Sequence, residues 1–170
     1  PSRLLTWFQA QQACAASNKH MITNGEWQVA VTGTVDAGAN NGADGSCNTN
    51  SGVVRATGLG GSKCVSLYGV EDGFGNLFEW VDLWGQGGGP NSSFVSGGMA
   101  PWPADYGDGM DTTSNVNGTI GGAAGQPSAA NRGGNFDSKT KAGAFSLDMY
   151  SGPSYSNISL GFRCAAHGPK

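Results

Sequence analysis

The chain has 170 residues, of which 12% are charged, a formal net charge of -3, 30 glycines, 7 prolines and 4 cysteines. That length fits a single domain, residues 1–170, able to bury its own core, and the acidic balance leaves no basic stripe to neutralise phosphates, which argues for no nucleic acid partner. No apolar run approaches the roughly 20 residues of a bilayer crossing, so the chain is expected to be soluble, with no membrane span.

Thr6-Trp-Phe-Gln9 has the Thr-x-x-Gln form of a capping box, and the Ala- and Gln-rich run after it predicts a helix to about Ser17. Its buried side is expected to carry Phe8, Ala10 or Gln11, and Cys14. A second box, Thr23-Asn-Gly-Glu26, predicts a shorter helix through Trp27 and Ala30, stopped by Gly33, and nothing after it reads as helical. Residues 34–64 are Gly, Asn, Asp, Ser and Thr with few apolar side chains, the composition of a long loop insertion. Residues 75–84 then alternate large apolar and polar side chains, as a half-buried strand does, and form the expected central strand. A second loop insertion is predicted near 85–130, with Trp102 and Tyr106 as anchors. Short strands are predicted to return near 132–136, 144–147 and 159–165.

So much glycine carries an ordering cost that something must offset, and the cysteines Cys14, Cys47, Cys64 and Cys164 are the candidates. No Cys-x-x-Cys occurs and neither histidine lies beside a cysteine, so two disulfides fit better than zinc. Three pairings are open. Cys47 with Cys64 would close the Gly/Ser/Asn-rich loop, worth about 3 kcal/mol by chain entropy. Cys14 with Cys164 would tie the first helix to the last strand. Four buried free thiols are the alternative.

Catalytic motifs fail one by one. Gly58-Leu-Gly-Gly-Ser-Lys63 lacks the residue order of a phosphate loop, and the glycine run at Gly85 lacks the last glycine of a dinucleotide fingerprint. Gly152-Pro-Ser-Tyr-Ser156 lacks the second glycine of a nucleophile elbow. Asp105, Asp108 and Asp111 miss the spacing of a calcium loop and read as turn formers. Asp72, Gly75, Leu77 and Glu79 are a better calcium candidate, because two carboxylates flanking a glycine turn can join backbone carbonyls in an all-oxygen shell; the alternative is a turn aspartate and a solvated strand glutamate. Asn91, Asn117 and Asn157 begin glycosylation sequons by letter only.

The last third behaves differently. Arg132-Gly-Gly-Asn-Phe136, Ala142-Gly-Ala-Phe145, Pro153-Ser-Tyr-Ser156 and Gly161-Phe-Arg-Cys-Ala165 alternate framework residues with small polar ones that follow no hydrophobic period, the pattern of a display surface. Together with Trp7-Phe-Gln-Ala-Gln-Gln-Ala-Cys14, Thr23-Asn-Gly-Glu-Trp27 and Gly75-Asn-Leu-Phe-Glu-Trp80, these motifs resemble the C-type lectin fold of the formylglycine-generating-enzyme type over residues 6–165. The resemblance implies an α+β, loop-rich domain of two helices and a small twisted antiparallel sheet. It favours the Cys14–Cys164 pair and suggests a structural calcium at Asp72, Gly75, Leu77 and Glu79, with no cofactor required. Catalytic members of that family place a copper-binding cysteine pair where this chain has Ser138 and Gly143, and a hydroxyl and a glycine cannot replace soft thiolates, so the chain is expected not to be an enzyme.

Within that fold, the C-terminal motifs are similar to the variable proteins of diversity-generating retroelements. There a mutagenic reverse transcriptase rewrites the last gene segment, mainly at asparagine codons. The resemblance implies a non-catalytic ligand-binding display protein with a variable segment at 132–164, recognising a protein or cell-surface ligand. The rewritten, ligand-binding positions would be Asn135, Asp137, Ser138, Thr140, Ser146, Asp148, Tyr150, Ser151, Tyr155, Asn157, Ile158 and Ser159. Arg132 and Arg163 would be framework, hydrogen-bonding loop carbonyls, and Tyr150 and Tyr155 the anchors, since tyrosine supplies large amphipathic area at low entropy cost. The alternatives are an oxidoreductase relative of the formylglycine-generating type and a calcium-dependent sugar-binding lectin.

Overall fold

The computed structural model describes residues 1–86, 127–149 and 151–168. Trp102, Tyr106, Asp105, Asp108, Asp111, Tyr150 and the sequons at Asn91 and Asn117 lie outside the described residues.

Both capping boxes form. Helix α1 (Trp7–Ala16) starts where the Thr6 side chain accepts from the Gln9 amide and Gln9 reaches back to the Thr6 amide. Helix α2 (Asn24–Ala30) repeats the exchange between Thr23 and Glu26. Each box satisfies two amides that no helical carbonyl can reach. The buried face of α1 is Trp7, Ala10 and Cys14; Phe8, expected inside, is exposed and leans edge-on against Trp7. The reason is helical geometry. Ala10 and Cys14 are one turn apart, and Trp7 lies one turn before Ala10, whereas Phe8 is rotated away from that stripe.

Between the helices lies a strand the sequence pattern missed, β1 (Lys19–Met21), which pairs antiparallel with β6 (Cys164–Ala166). The main sheet contains β2 (Phe78–Gln86), β3 (Pro127–Gly133), β4 (Gly143–Asp148) and β5 (Leu160–Phe162), in the order β4-β3-β2-β5. It is mixed rather than antiparallel as expected, because β5 runs parallel to β2. After β4 the chain returns across the sheet before entering β5, so β5 starts at the end where β2 starts. The strand expected at 132–136 ends earlier, since Gly133 and Gly134 take left-handed backbone (φ 82° and 79°) and turn the chain. Two single-turn 3-10 helices, Ser62–Cys64 and Lys139–Lys141, occur in segments expected to be free of helix.

β2 was expected to be half-buried, yet the sheet is covered on both faces. Trp80 of β2 and Ala129 of β3 pack with Trp7, Ala10, Cys14, Met21 and Leu160 under α1. Val81 and Ala130, their neighbours in sequence, point the other way and pack with Trp27, Val31, Phe74 and the Cys47–Cys64 pair under α2. The long Gly/Asn-rich loop makes the difference by supplying the second cover. On that face the polar side chains of Glu79 and Arg132 are also buried, both against Trp27 of α2. Both expected disulfides form, Cys14–Cys164 and Cys47–Cys64.

Candidate functional site

The starts of β2, β4 and β5 and the end of β3 meet at one end of the sheet. Two turns project there. The first spans residues 135–138 after β3, and the second spans 155–159 before β5. Both are anchored to the backbone entering β2: the Phe136 amide donates to the Asn76 carbonyl at 3.2 Å, and the Phe78 amide donates to the Ser159 carbonyl at 2.9 Å. The turns therefore flank Asn76–Phe78, two strand spacings or roughly 10 Å apart.

Each turn is closed by an asparagine. Asn135 Oδ1 accepts from the Asp137 amide at 2.8 Å and the Ser138 hydroxyl at 3.1 Å, while Ser138 Oγ accepts from the Asn135 amide at 2.9 Å. Asn157 Oδ1 accepts from the Ser159 amide at 3.0 Å and the Ser159 hydroxyl at 2.9 Å, and its Nδ2 donates to the Tyr155 hydroxyl at 2.7 Å. Such side-chain turns shape a loop without a regular element beneath it. Of the expected contact positions, those left exposed are Asp137 and Thr140 around the first turn and Tyr155 and Ile158 on the second, with Lys139 and Ser156 exposed beside them.

The frame under the first turn comes from the disulfide-closed loop. The Ser51 and Gly52 amides donate to the Phe136 carbonyl at 3.0 and 3.2 Å, and the Lys139 amide donates to the Thr49 carbonyl at 2.8 Å. Asn48 accepts from the Asn76 amide at 2.7 Å. Gly75, just before it, takes left-handed backbone at φ 64°, and a Cβ there would run into the Asn48 carbonyl. These residues escaped the sequence reading, because Asn, Ser and Thr in a loop look alike whether they hold a neighbour or only water.

The two arginines are framework, as expected. Arg132 donates to the carbonyls of Ala144 at 2.9 Å and Phe145 at 3.4 Å, bonds the Gln28 side chain, and lies over the Trp27 ring at 4.6 Å. Arg163 pairs with Glu79 and reaches the carbonyls of Glu71 and Asp72 at 3.2 and 3.4 Å. Burial pulls the Arg163 guanidinium down, but the Glu79 charge and hydrogen bonds outweigh it and hold the group above its ordinary value.

Not every expected contact position is open. Ser146 is 2% exposed, in the middle of β4 between Ala144 and Leu147, which pack on the core. Ser151 is 8% exposed, where its carbonyl accepts from the Ala129 amide at 3.1 Å. These two belong to the interior rather than to the surface, since a large side chain there would overpack. Asp148 is half-buried, and Tyr150 lies outside the described residues.

The two carboxylates read as calcium ligands, Asp72 and Glu79, are committed elsewhere. Glu79 Oε2 takes both Arg163 Nε at 2.7 Å and Trp27 Nε1 at 2.8 Å, and Oε1 bonds Arg163 as well. Asp72 Oδ2 accepts from the Gly58 amide at 2.7 Å, and burial pushes the Asp72 carboxyl up. Leu77 is core, packed against Gly161, and the Gly75 amide donates to the Gly133 carbonyl. A guanidinium already neutralises Glu79, so the donor set does not fit a calcium shell. Among the described residues no three His, Cys, Asp or Glu side chains converge on a metal position.

No protein-family profile matches the sequence, and no curated protein emerges as a relative. Solved structures do match. The Major Tropism Determinant M1 variant superposes with a TM-score of 0.61 at 22% identity, the U1 variant with 0.58 at 22%, and the P3c variant with 0.57 at 20%. Each alignment covers 94% of this chain and 36% of the other, so the chain spans about a third of the length of those proteins. Two capped helices, the mixed sheet and the long loops thus assemble the α+β C-type lectin fold that the sequence motifs led us to expect.

Proposed function

We propose that this chain is a non-catalytic ligand-binding display domain, in which the two turns at 135–138 and 155–159 carry the recognition side chains. One observation supports this above others: the exposed residues Asp137, Thr140, Tyr155 and Ile158 are gathered at one end of the sheet, on turns tied to the same three residues of backbone. Binding sites of this type combine adaptable side chains with a frame that does not move. Tyrosine supplies the anchor and the short polar residues the adaptable contacts. The structures it superposes on are named as determinants of tropism, which is recognition of a target, and the ligand here is accordingly a protein or another cell-surface molecule. Diversification by a retroelement deepens the reading, because side chains that only recognise can be exchanged without harm to the core. All four cysteines are disulfide-bonded, so no thiolate pair supports the oxidoreductase alternative.

The test is a surface-displayed library of the 170-residue chain with Asp137, Thr140, Tyr155 and Ile158 randomised, sorted against a panel of unrelated soluble proteins that includes lysozyme. Folded clones with distinct, specific binding are expected. Folded clones that bind nothing in the panel, or randomisation that abolishes folding, would refute the reading. Diversification has its own test in the flanking DNA, which should hold a near-copy of the codons for 132–164 that differs chiefly where the copy has adenine.

A further inference from the structure

We propose that Asn157 sets the hydrogen-bonding direction of Tyr155, turning its phenol into a donor aimed outward, so that this anchor recognises an acceptor oxygen, a carbonyl or a carboxylate, on a protein ligand. This rests on the reading of the two turns as the recognition surface, and within it Asn157 is a positioning residue rather than a contact.

The direction follows from a chain of three bonds. A backbone N–H can only donate, so the Asn157 atom that accepts from the Ser159 amide at 3.0 Å is its oxygen, and the Ser159 hydroxyl joins the same atom at 2.9 Å. The other side-chain atom of Asn157 is therefore Nδ2, which has only hydrogens to give, and it meets the Tyr155 hydroxyl at 2.7 Å. Tyr155 Oη must accept there. Its own proton then points away from Asn157, and among the described residues no acceptor takes it. A hydroxyl that accepts on one side is polarised into a better donor on the other. The backbone under the pair is held as well: the Asn157 carbonyl accepts from the Leu4 amide at 3.3 Å and the Leu160 amide at 3.2 Å, and the Tyr155 amide donates to the Gly152 carbonyl at 2.9 Å. The Tyr155 side chain nevertheless stays 46% exposed, open to a ligand. A ring fixed in this way loses little freedom on binding, and its outward proton favours an acceptor over a donor on the partner.

Asn157→Asp reverses the arrangement, because one carboxylate oxygen still accepts from Ser159 while the other takes the Tyr155 proton inward. The probe is lysozyme, bound by clones from a library that keeps Tyr155 and Asn157 and randomises Asp137, Thr140, Ser156 and Ile158. Clones that lose binding on Tyr155→Ala are re-made with Tyr155→Phe, with Asn157→Asp and with both. Tyr155→Phe and Asn157→Asp are each expected to weaken binding by about tenfold where the lysozyme acceptor is a carbonyl, and toward about a hundredfold where it is a carboxylate. Asn157→Asp is expected to cost at least about threefold less in the Tyr155→Phe background than beside Tyr155, since the proton it captures is then gone. Equal loss in both backgrounds overturns the proposal, because Asn157 then acts through its turn or the new charge and not through the hydroxyl. Unchanged binding in Tyr155→Phe, or binders none of which depends on Tyr155, also overturns it while leaving the display reading intact. A library that yields no binders removes the display reading and this inference together.

Discussion

Glu79 and Arg163 stand 84 positions apart in sequence and share one buried ion pair, with Trp27 Nε1 donating to the same carboxylate. The pair links β2 to the end of β5 and, through the Glu71 and Asp72 carbonyls, to the loop before β2. Removing one member of such a pair leaves the other charged and desolvated. Arg163→Ala is expected to cost about 3 kcal/mol in urea unfolding, the low end for buried pairs because Arg163 is partly exposed. A cost under 1 kcal/mol would show that water replaces the guanidinium freely.

Gly75 tests the backbone under the turns. A methyl group there meets the Asn48 carbonyl and also forces left-handed backbone on alanine. Gly75→Ala is expected to destabilise by about 3 kcal/mol, combining the strain and overpacking costs. Gly25, which has open space around it, serves as the control: Gly25→Ala lies in helix α2 and should be neutral or stabilising.

The Cys47–Cys64 disulfide closes 17 positions of sequence and holds Asn48 and Thr49 in place. Replacing both cysteines by alanine is expected to cost about 3 kcal/mol. Amide exchange at Lys139, Ser51 and Gly52 should quicken more than exchange in β2, because those amides are bonded across the loop and the turn. Uniform quickening throughout would show that the bond stabilises the whole fold without a special hold on the turn.

Asp72 gives a pH signature of definite sign. Its carboxyl titrates near about 3.9 when unfolded, and burial lifts the folded value against the opposing Gly58 hydrogen bond and Arg163 charge. The folded protein therefore holds this proton more tightly than the unfolded chain. Its contribution to stability is greatest below about pH 4 and declines as pH rises through the folded value, leaving a penalty at neutral pH. Asp72→Asn keeps an acceptor for the Gly58 amide and removes that penalty. Melting temperature should rise at pH 7 relative to the parent, with a smaller difference at pH 4; a fall at pH 7 would contradict the assignment.

Turn-closing and tip residues should separate cleanly. Asn135→Ala removes the acceptor for the Asp137 amide and the Ser138 hydroxyl and is expected to cost about 1 kcal/mol, whereas Asp137→Ala should stay within about 0.5 kcal/mol. Ser146→Trp should cost at least about 2 kcal/mol through overpacking. Thermal melts of the three variants decide whether Asn135 belongs to the frame or to the contact surface.

Local chemistry was legible before any coordinates. Thr6 and Thr23 announced both helices, because a capping box is a contact between residues three apart. The motifs around Trp80, Arg132 and Arg163 carried the fold resemblance and the framework role of both arginines. What stayed hidden depended on partners distant in sequence. The strand Lys19–Met21 exists only because residues 164–166 come alongside it, and Glu79 read as a calcium ligand or a solvated strand residue, whereas it is buried on the α2 face in a pair with Arg163.

The same division runs through the surface. Composition and patterning alone determined which segment lacks a core period and could carry recognition. Only the tertiary structure decided that Asn135 and Asn157 close turns on themselves, that Ser146 and Ser151 are enclosed, and that the Leu4 amide reaches the Asn157 carbonyl. Periodicity reports which side of its own element a residue occupies, whereas exposure depends on what the rest of the chain lays over it.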